Sequence, residues 1–247
     1  MALKTILNHS PNFDSKKRIS KQIKFIIFHY TGMKKESEAI NKLTNIQSEV
    51  SCHYLIKRNG EIINLIPDLY IAWHAGRSSW RIFKSLNKDS IGIEITNPGH
   101  EFGYKKFSKK QISSLLKLSK FLIKKYSISS KNILGHSDIA PERKKDPGEK
   151  FPWKYLSQNK VGLWHTLKKK ELIKNRKFKT SKVEKNFFFN NIFKIGYSKK
   201  TSINQNKDKY LRDVIKAFQR RFRQELINGK IDRECLLISI NLLKKYN

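Results

Sequence analysis

Residues 24–30, KFIIFHY, form an apolar run of strand length that ends in a histidine, and the segments after this run indicate the fold. Residues 36–50 carry apolar side chains at helical spacing and predict a helix. HYLIKRNGEIINLI, residues 53–66, consists of two alternating apolar runs joined at Asn59-Gly60, which is a strong hairpin signal. The chain therefore begins as a mixture of strands and helices.

The alternation of strands and helices continues for about another hundred residues. SIGIEIT, residues 90–96, predicts a strand with three isoleucines on one face and Glu94 on the other. Residues 108–126 predict a helix whose first turn has the capping-box pattern Ser-x-x-Gln. NILGH, residues 132–136, predicts a short strand that ends in a second histidine. Up to about residue 165 we therefore expect an α/β domain with a central sheet.

The composition changes after this region. Residues 167–204 are rich in Lys, Asn and Ser, and we expect a linker that packs locally against a neighbour. Two amphipathic helices are predicted within 205–247, separated by the turn INGKID. Two helices alone make a marginal unit, so we expect them to pack with upstream residues or on the main domain. The expected organisation is an α/β domain over 1–166, the linker over 167–204, and a small all-α module over 205–247.

The net charge is strongly positive, because 53 Lys and Arg residues outnumber 20 Asp and Glu residues to give +33. Such a charge favours anionic partners, namely nucleic acid, anionic lipid or an acidic cell-wall polymer. The lysines are spread along the whole chain among many Asn and Ile residues. This distribution favours compositional drift over a designed patch, so we predict no specific nucleic-acid partner.

Neither a membrane span nor a disulfide framework is expected. No window approaches the ~20 apolar residues of a membrane-spanning helix. The first 18 residues lack a signal-peptide run and a lipid-attachment cysteine, so we expect a cytoplasmic protein, with the periplasm as the alternative. Cys52 and Cys235 lie far apart and form no thiolate zinc motif. We expect Cys52 to be a buried free thiol.

Two strand-end histidines and one aspartate could form a metal site. His29 and His136 each end an apolar strand, and Asp146 follows in the loop sequence LGHSDIAPERKKDP, residues 134–147. Two histidines and a carboxylate, with a fourth position open to water, make a catalytic zinc set, and the ion lowers the pKa of its bound water to ~7. Alternatively, the histidines make ordinary hydrogen bonds at the sheet rim and the loop is a solvated polar turn.

Further candidates for chemistry have two interpretations each. Glu94 is either a solvated strand residue or the general base beside the metal. Lys144, two residues before Asp146, is either one of many surface lysines or a cation that stabilises an oxyanion. The segment AWHAGRSSW, residues 72–80, is either a shallow wall for a sugar or peptide or a turn in the core.

Six motifs in order carry a resemblance to a known family: SPNFD, FHYTGM, SCHYLIKRNG, AWHAGRSSW, NKDSIGIEITNPGHEFGY and LGHSDIAPERKKDPGEKFPW. Together they resemble the zinc N-acetylmuramoyl-L-alanine amidases that share the peptidoglycan-recognition-protein fold, over roughly residues 8–165. The run NPGHEFGY and the extra C-terminal segment are most similar to the two-domain bacterial branch. AFQRRFRQELINGKID resembles a peptidoglycan-binding helical module, although Cys235 takes the position of a Thr in that pattern.

The resemblance implies a central mixed β-sheet flanked by helices and one Zn²⁺ per chain, bound by His29, His136 and Asp146. It implies Glu94 and Lys144 as catalytic residues. It also implies a set of substrate-binding residues: Tyr30, Trp73, His74, Ala75, Gly76, Arg77 and Asn97. The implied reaction is hydrolysis of the amide between the lactyl group of N-acetylmuramic acid and L-alanine, in peptidoglycan or muropeptides, during cell-wall turnover or recycling.

Two other functions remain as alternatives at this point. One is a non-catalytic peptidoglycan receptor with the same fold, although such receptors typically lack the metal-binding residues that this chain has. The other is a basic nucleic-acid-binding protein, whose affinity for nucleic acid would fall steeply with salt.

Overall fold

The computed structural model describes residues 4–199 and 206–246, so the expected boundary between residues 204 and 205 lies outside the described residues. Within them, the strands are β1 (Ile6–Leu7), β2 (Phe13–Asp14), β3 (Phe25–Tyr30), β4 (Tyr54–Ile56), β5 (Ile62–Asn64), β6 (Ile71–Ala72), β7 (Ser79–Trp80), β8 (Phe83–Lys84), β9 (Ser90–Ile95) and β10 (Ile133–Gly135). The helices are α1 (Glu36–Thr44), α2 (Lys109–Tyr126), α3 (His136–Ile139), α4 (Trp153–Gln158), α5 (Lys169–Arg176), α6 (Lys182–Ile195), α7 (Lys207–Phe222) and α8 (Arg233–Tyr246).

The central sheet is mixed, as predicted. Its six strands lie in the order β1-β5-β4-β9-β3-β10. Strand β3 pairs in parallel with both β9 and β10, whereas β4 and β5 form the predicted antiparallel hairpin. Two small two-stranded sheets, β2-β6 and β7-β8, lie outside it. The parallel centre brings the carboxyl ends of β3, β9 and β10 to one edge.

Both faces of the sheet are covered. On one face, Ile26 and Phe28 of β3 join Ile91, Ile93 and Ile95 of β9 in a buried cluster with α2. Phe25 and Ile27 of β3 pack in a second cluster with the C-terminal helices. Alternate strand residues point to opposite faces, so the first four residues of β3 are apolar because each face of the strand is buried there.

Local signals explain where several elements begin and end. Helix α2 begins with the predicted capping box, in which Gln111 N–H donates to Ser108 Oγ at 3.1 Å and Ser108 N–H donates to Gln111 Oε1 at 2.9 Å. The helix predicted to reach residue 50 ends at Thr44, because the Asn45 side chain accepts from Gln47 N–H and begins a separate turn. His136 begins α3 instead of ending a strand.

The segment expected to be a linker is largely helical. Residues 169–176 form α5 and residues 182–195 form α6, which begins with its own capping box. One face of α6, with Phe188 and Ile192, is fully buried in the same core as residues of α7 and β3. These helices were not predicted because only one narrow face of each is buried, so the lysine-rich sequence shows little helical periodicity of apolar residues. The division into domains stays a prediction.

The remaining sequence expectations concern cysteines and membranes. Cys52 and Cys235 are both free and buried, which confirms the prediction for Cys52. The two C-terminal helices pack on the central sheet and on α6, as expected for a pair too small to form its own core. No helix in the described part of the chain combines the length and apolar character needed to cross a bilayer.

Candidate metal centre

The candidate site lies at the carboxyl edge of the parallel strands. His29 is the fifth residue of β3 and pairs in register with Glu94 of β9. On the other side of β3, Gly135 of β10 pairs with Phe28, so that His136 follows directly beside His29. Both histidines and Glu94 therefore reach one edge by strand register alone, which is where sites of α/β proteins form.

Three donor atoms meet at this edge. His29 Nδ1 lies 3.0 Å from His136 Nδ1 and 3.0 Å from Asp146 Oδ2, and His136 Nδ1 lies 3.1 Å from the same carboxylate oxygen. All three side chains are buried. Two nitrogens and one oxygen at this spacing match the donors around one four-coordinate zinc ion, whose bonds are ~2.0–2.2 Å long. The residues present therefore fit a zinc ion.

Burial and mutual proximity favour the ligand-competent forms of His29 and Asp146. Burial, helped by the neighbouring His136, lowers the pKa of His29 to about 4, so the ring is neutral near pH 7. Burial acts to raise the pKa of Asp146, but the two adjacent imidazoles outweigh it and lower that pKa well below its usual range. Metals bind neutral imidazole and ionised carboxylate, so the site is prepared for a cation.

The second nitrogen of each imidazole is also bonded, which fixes the ring orientations. His29 Nε2 lies 3.0 Å from His74 Nδ1, and His74 Nε2 lies 3.1 Å from Ser90 Oγ. His136 Nε2 donates to the carbonyl of Ala75 at 3.1 Å. Partners of this kind set the tautomer and the aim of metal-binding histidines. His74 and Ala75, expected in the substrate groove, thus act behind the candidate ligands.

A glycine makes room for this arrangement. A Cβ at Gly92 of β9 would collide with the His74 ring, so only glycine lets that ring lie against the strand. The backbone of Gly92 also donates to His53 Nδ1 at 3.0 Å, and His53 Nε2 donates to the carbonyl of Tyr70 at 3.1 Å. His53 is fully buried and serves a structural role behind the site.

The loop that carries Asp146 is tied to α3 and to the segment after β6. Ser137 N–H donates to the carbonyl of Asp146 at 2.8 Å. The Arg143 guanidinium donates to the carbonyls of Ala75 and Arg77. Sequence reasoning assigned Arg143 no function, because nothing in its local pattern distinguishes it from other basic residues of the loop. These bonds hold the aspartate beside the two histidines.

A cavity of about 310 Å³ opens over the three donors, and both Glu94 and Lys144 line it. Glu94 Oε2 is buried and has no hydrogen-bond partner among the described residues. Burial, with the nearby charge of Asp146, raises the pKa of Glu94 to about 8, while Lys144 acts in the opposite direction. A buried carboxylate oxygen without a hydrogen bond indicates that a ligand or water in this cavity bonds to it.

The structure divides the expected substrate-binding residues into two groups. Tyr30 and His74 line the cavity. The remaining expected residues are not among those that line it: Trp73, Ala75, Gly76, Arg77 and Asn97. Tyr30 O–H is bonded to His100 Nδ1 at 2.8 Å, and burial raises the Tyr30 pKa to about 12.

No role was assigned to His100 or Glu149 from the sequence. His100 lines the cavity and its Nε2 lies 2.9 Å from a Glu149 oxygen, so a chain of three polar side chains runs from Tyr30 to Glu149. His100 belongs to the run NPGHEFGY, which contributed to the family resemblance, but no spacing in the sequence links it to the site.

Comparison with known proteins agrees with this geometry. A family model described as N-acetylmuramoyl-L-alanine amidase matches residues 19–149. The N-acetylmuramoyl-L-alanine amidase AmiD of Escherichia coli K12 is 36% identical over 237 residues, which cover 91% of this chain and 84% of AmiD. The 1,6-anhydro-N-acetylmuramyl-L-alanine amidase AmpD of the same organism is 40% identical over 104 residues, which cover 42% of this chain and 55% of AmpD.

Solved structures show the same fold. E. coli AmiD, in complex with the substrate anhydro-N-acetylmuramic acid-L-Ala-D-gamma-Glu-L-Lys, has a TM-score of 0.78 and 34% identity over 91% of this chain and 90% of that one. AmpDh3 from Pseudomonas aeruginosa, in complex with anhydromuramic pentapeptide, has a TM-score of 0.78 and 29% identity over 96% of this chain and 97% of that one. These similarities include C-terminal helices that the family model does not reach.

Proposed function

This chain belongs to the N-acetylmuramoyl-L-alanine amidase family, and we propose that it is a zinc enzyme that hydrolyses the amide between the lactyl group of N-acetylmuramic acid and L-alanine. The observation that carries the proposal is the meeting of His29, His136 and Asp146 in one cavity with the unpartnered carboxylate of Glu94. A non-catalytic receptor has no use for such a donor set.

The proposed substrate is a fragment of peptidoglycan with a muramyl group and a stem peptide. Two similar proteins have been solved with anhydro-muramyl peptides, and the relative AmpD is named for a 1,6-anhydro substrate. We therefore favour soluble anhydro-muropeptides, which arise in cell-wall recycling, over the intact sacculus. A cavity of about 310 Å³ accepts only the part of such a substrate around the scissile bond.

His29, His136 and Asp146 would hold the zinc ion. Bound zinc supplies Lewis-acid activation of water and of the scissile carbonyl. The chain's own contribution is to hold the three donors together, with His29 neutral and Asp146 ionised, and to leave the cavity side open. His74 and Ala75 keep the two imidazoles aimed at the ion by bonding their second nitrogens.

Glu94 is the proposed general base and acid. Its carboxylate takes the proton of the attacking water and then delivers it to the amine nitrogen of the departing L-alanine. Its burial supports this role, since a raised pKa makes the ionised carboxylate a stronger proton acceptor than an ordinary one. Lys144, which lines the same cavity, would donate a hydrogen bond to the negatively charged oxygen of the tetrahedral intermediate.

The remaining substrate-binding residues have proposed roles at the rim. Tyr30 contributes its ring to the cavity wall. Trp73, Gly76 and Arg77 belong to the same loop, and Gly76 and Arg77 are exposed. This loop would extend the cavity wall beside Arg143, which donates to the Arg77 carbonyl. Asn97 is a support: its Oδ1 accepts from Gly99 N–H at 3.1 Å, which shapes the loop that brings the next residues to the cavity.

The direct test is the identification of the bond that is cut. The full chain, loaded with zinc, is incubated with an anhydro-muramyl tripeptide, and the products are analysed by mass spectrometry. The proposal predicts free tripeptide with an L-alanine amino terminus together with anhydro-N-acetylmuramic acid. Cleavage at another bond, or no cleavage by the zinc-loaded protein, would overturn it.

A further inference from the structure

Asp138 is a buried carboxylate that lies two residues after the candidate ligand His136 in α3. Three hydrogen bonds converge on it. Gly135 N–H donates to Oδ2 at 2.8 Å, the Tyr197 hydroxyl donates to Oδ1 at 2.7 Å, and Arg221 Nη1 donates to Oδ2 at 2.6 Å. Two of these donors come from beyond residue 166: Tyr197 lies two residues after the end of α6, and Arg221 lies in α7.

Arg221 forms hydrogen bonds on both sides of His136 in the chain, to Ile133 and to Asp138. Besides its bond to Asp138, its Nη2 donates to the carbonyl of Ile133, the first residue of β10, at 3.0 Å. Its guanidinium lies 4.2 Å from the centre of the Trp153 ring. The side chains of Arg221 and Asp138 are 2% and 1% exposed, so water cannot replace either partner.

A shift of α3 would reach more than one candidate ligand. Ser137, between His136 and Asp138, donates its N–H to the carbonyl of Asp146 at 2.8 Å. Removing one partner of a buried ion pair leaves an uncompensated charge, which drives local rearrangement. Loss of the Arg221 guanidinium would therefore disturb the segment that positions two of the three donors.

We propose that Arg221 and Tyr197 are positioning residues of the metal centre, which act through Asp138 to hold His136 and Asp146 in ligand geometry. This inference rests on the proposed zinc site. Both residues lie outside 19–149, the part matched by the family model. The C-terminal helices accordingly contribute to the structure of the metal centre.

The test measures zinc affinity, by competition of the full-length protein with a chromophoric chelator. Arg221→Gln is expected to weaken zinc binding by about tenfold or more, the usual effect of losing an outer partner of a metal site. Tyr197→Phe, which removes a single hydrogen bond, is expected to weaken it by about fivefold. Arg221→Lys keeps the charge and should recover part of the loss.

Arg223→Gln is the matched control. Arg223 is another buried arginine of the same region, but its side chain bonds to Leu226, Asn228, Asp232 and Glu234, which all lie after α7. Urea unfolding of each variant reports the loss of global stability separately. Both glutamine variants should be less stable than the parent, whereas only Arg221→Gln should lose zinc affinity.

Each outcome decides a different claim. Parental zinc affinity in Arg221→Gln, or an equal loss in Arg223→Gln, would overturn the positioning role and leave the proposed zinc site intact. Failure of the parent chain to bind zinc would instead refute the proposed site. If Arg221→Gln does not fold, unchanged affinity in both Tyr197→Phe and Arg221→Lys overturns the inference, and reduced affinity in both supports it.

Discussion

His29 and Glu94 are directly opposite each other in register on the parallel strands β3 and β9. This pairing places a candidate metal-binding nitrogen and a carboxylate on the same face at the same edge of the sheet. The two proposed functions, holding the cation and moving the proton, thus come from neighbouring strands at the centre of the sheet.

Glu94→Gln is expected to keep the zinc ion and lose catalysis. The amide has nearly the shape of the carboxylate but cannot accept the proton of water, so the rate should fall by at least ~10²-fold, the scale of a general acid–base residue. Hydrolysis of an anhydro-muramyl peptide and zinc content are measured on the same sample. Near-parental turnover in a zinc-loaded variant would exclude Glu94 as the base.

Lys144→Met is expected to lower kcat with little change in KM, because the proposed hydrogen bond forms only in the transition state. The loss should be about 10²-fold or more, as for removal of other oxyanion donors. Lys120→Met, an exposed position on α2, is the control for the loss of one positive charge. A rise in KM alone would instead make Lys144 a substrate-binding residue.

The stability of the metal-free protein is expected to fall as the pH drops below about 6.5. Burial, together with the charge of Arg18, lowers the pKa of His53 to about 3, so unfolded chains take up a proton there while the folded chain does not. The stabilising contribution of neutral His53 is therefore complete above pH 6.5 and is lost progressively towards pH 3.

Urea unfolding between pH 7 and pH 4, with a chelator present, measures this effect. His53→Gln should be less stable at pH 7, because it lacks the bonds to Gly92 and Tyr70. Its free energy of unfolding should depend less steeply on pH, by up to about 1.4 kcal/mol per pH unit. Parallel pH profiles for the parent and the variant would contradict the depressed pKa of His53.

The sheet and the candidate metal-binding histidines could be predicted from the sequence because their signals are local. β3 reads as an apolar run, β9 alternates strictly around Glu94, and the histidines end or follow strands. Parallel pairing then brings those ends together without further information. The resemblance to a family then favoured a metal set with Asp146 as its third member over ordinary hydrogen bonds at the sheet rim.

Other features could not be predicted from the sequence because they depend on long-range packing. Helices α5 and α6 bury narrow faces against α8 and the sheet, and their lysine-rich sequences do not show this. Arg221 and Asp138 are 83 residues apart, and no local pattern pairs them. The cytoplasmic localisation stays a prediction from the sequence, which cell fractionation would test.

The most direct test of the account is a zinc titration of metal-free protein, carried out on the parent chain and on His136→Ala. In the parent, hydrolysis of the anhydro-muramyl peptide should rise from near zero and level off at one zinc ion per chain. His136→Ala should neither bind zinc tightly nor recover activity, while His165→Ala, a histidine outside the site, should behave as the parent. Full activity of the parent in the presence of a strong chelator, or tight binding of one zinc ion by His136→Ala, would contradict the account.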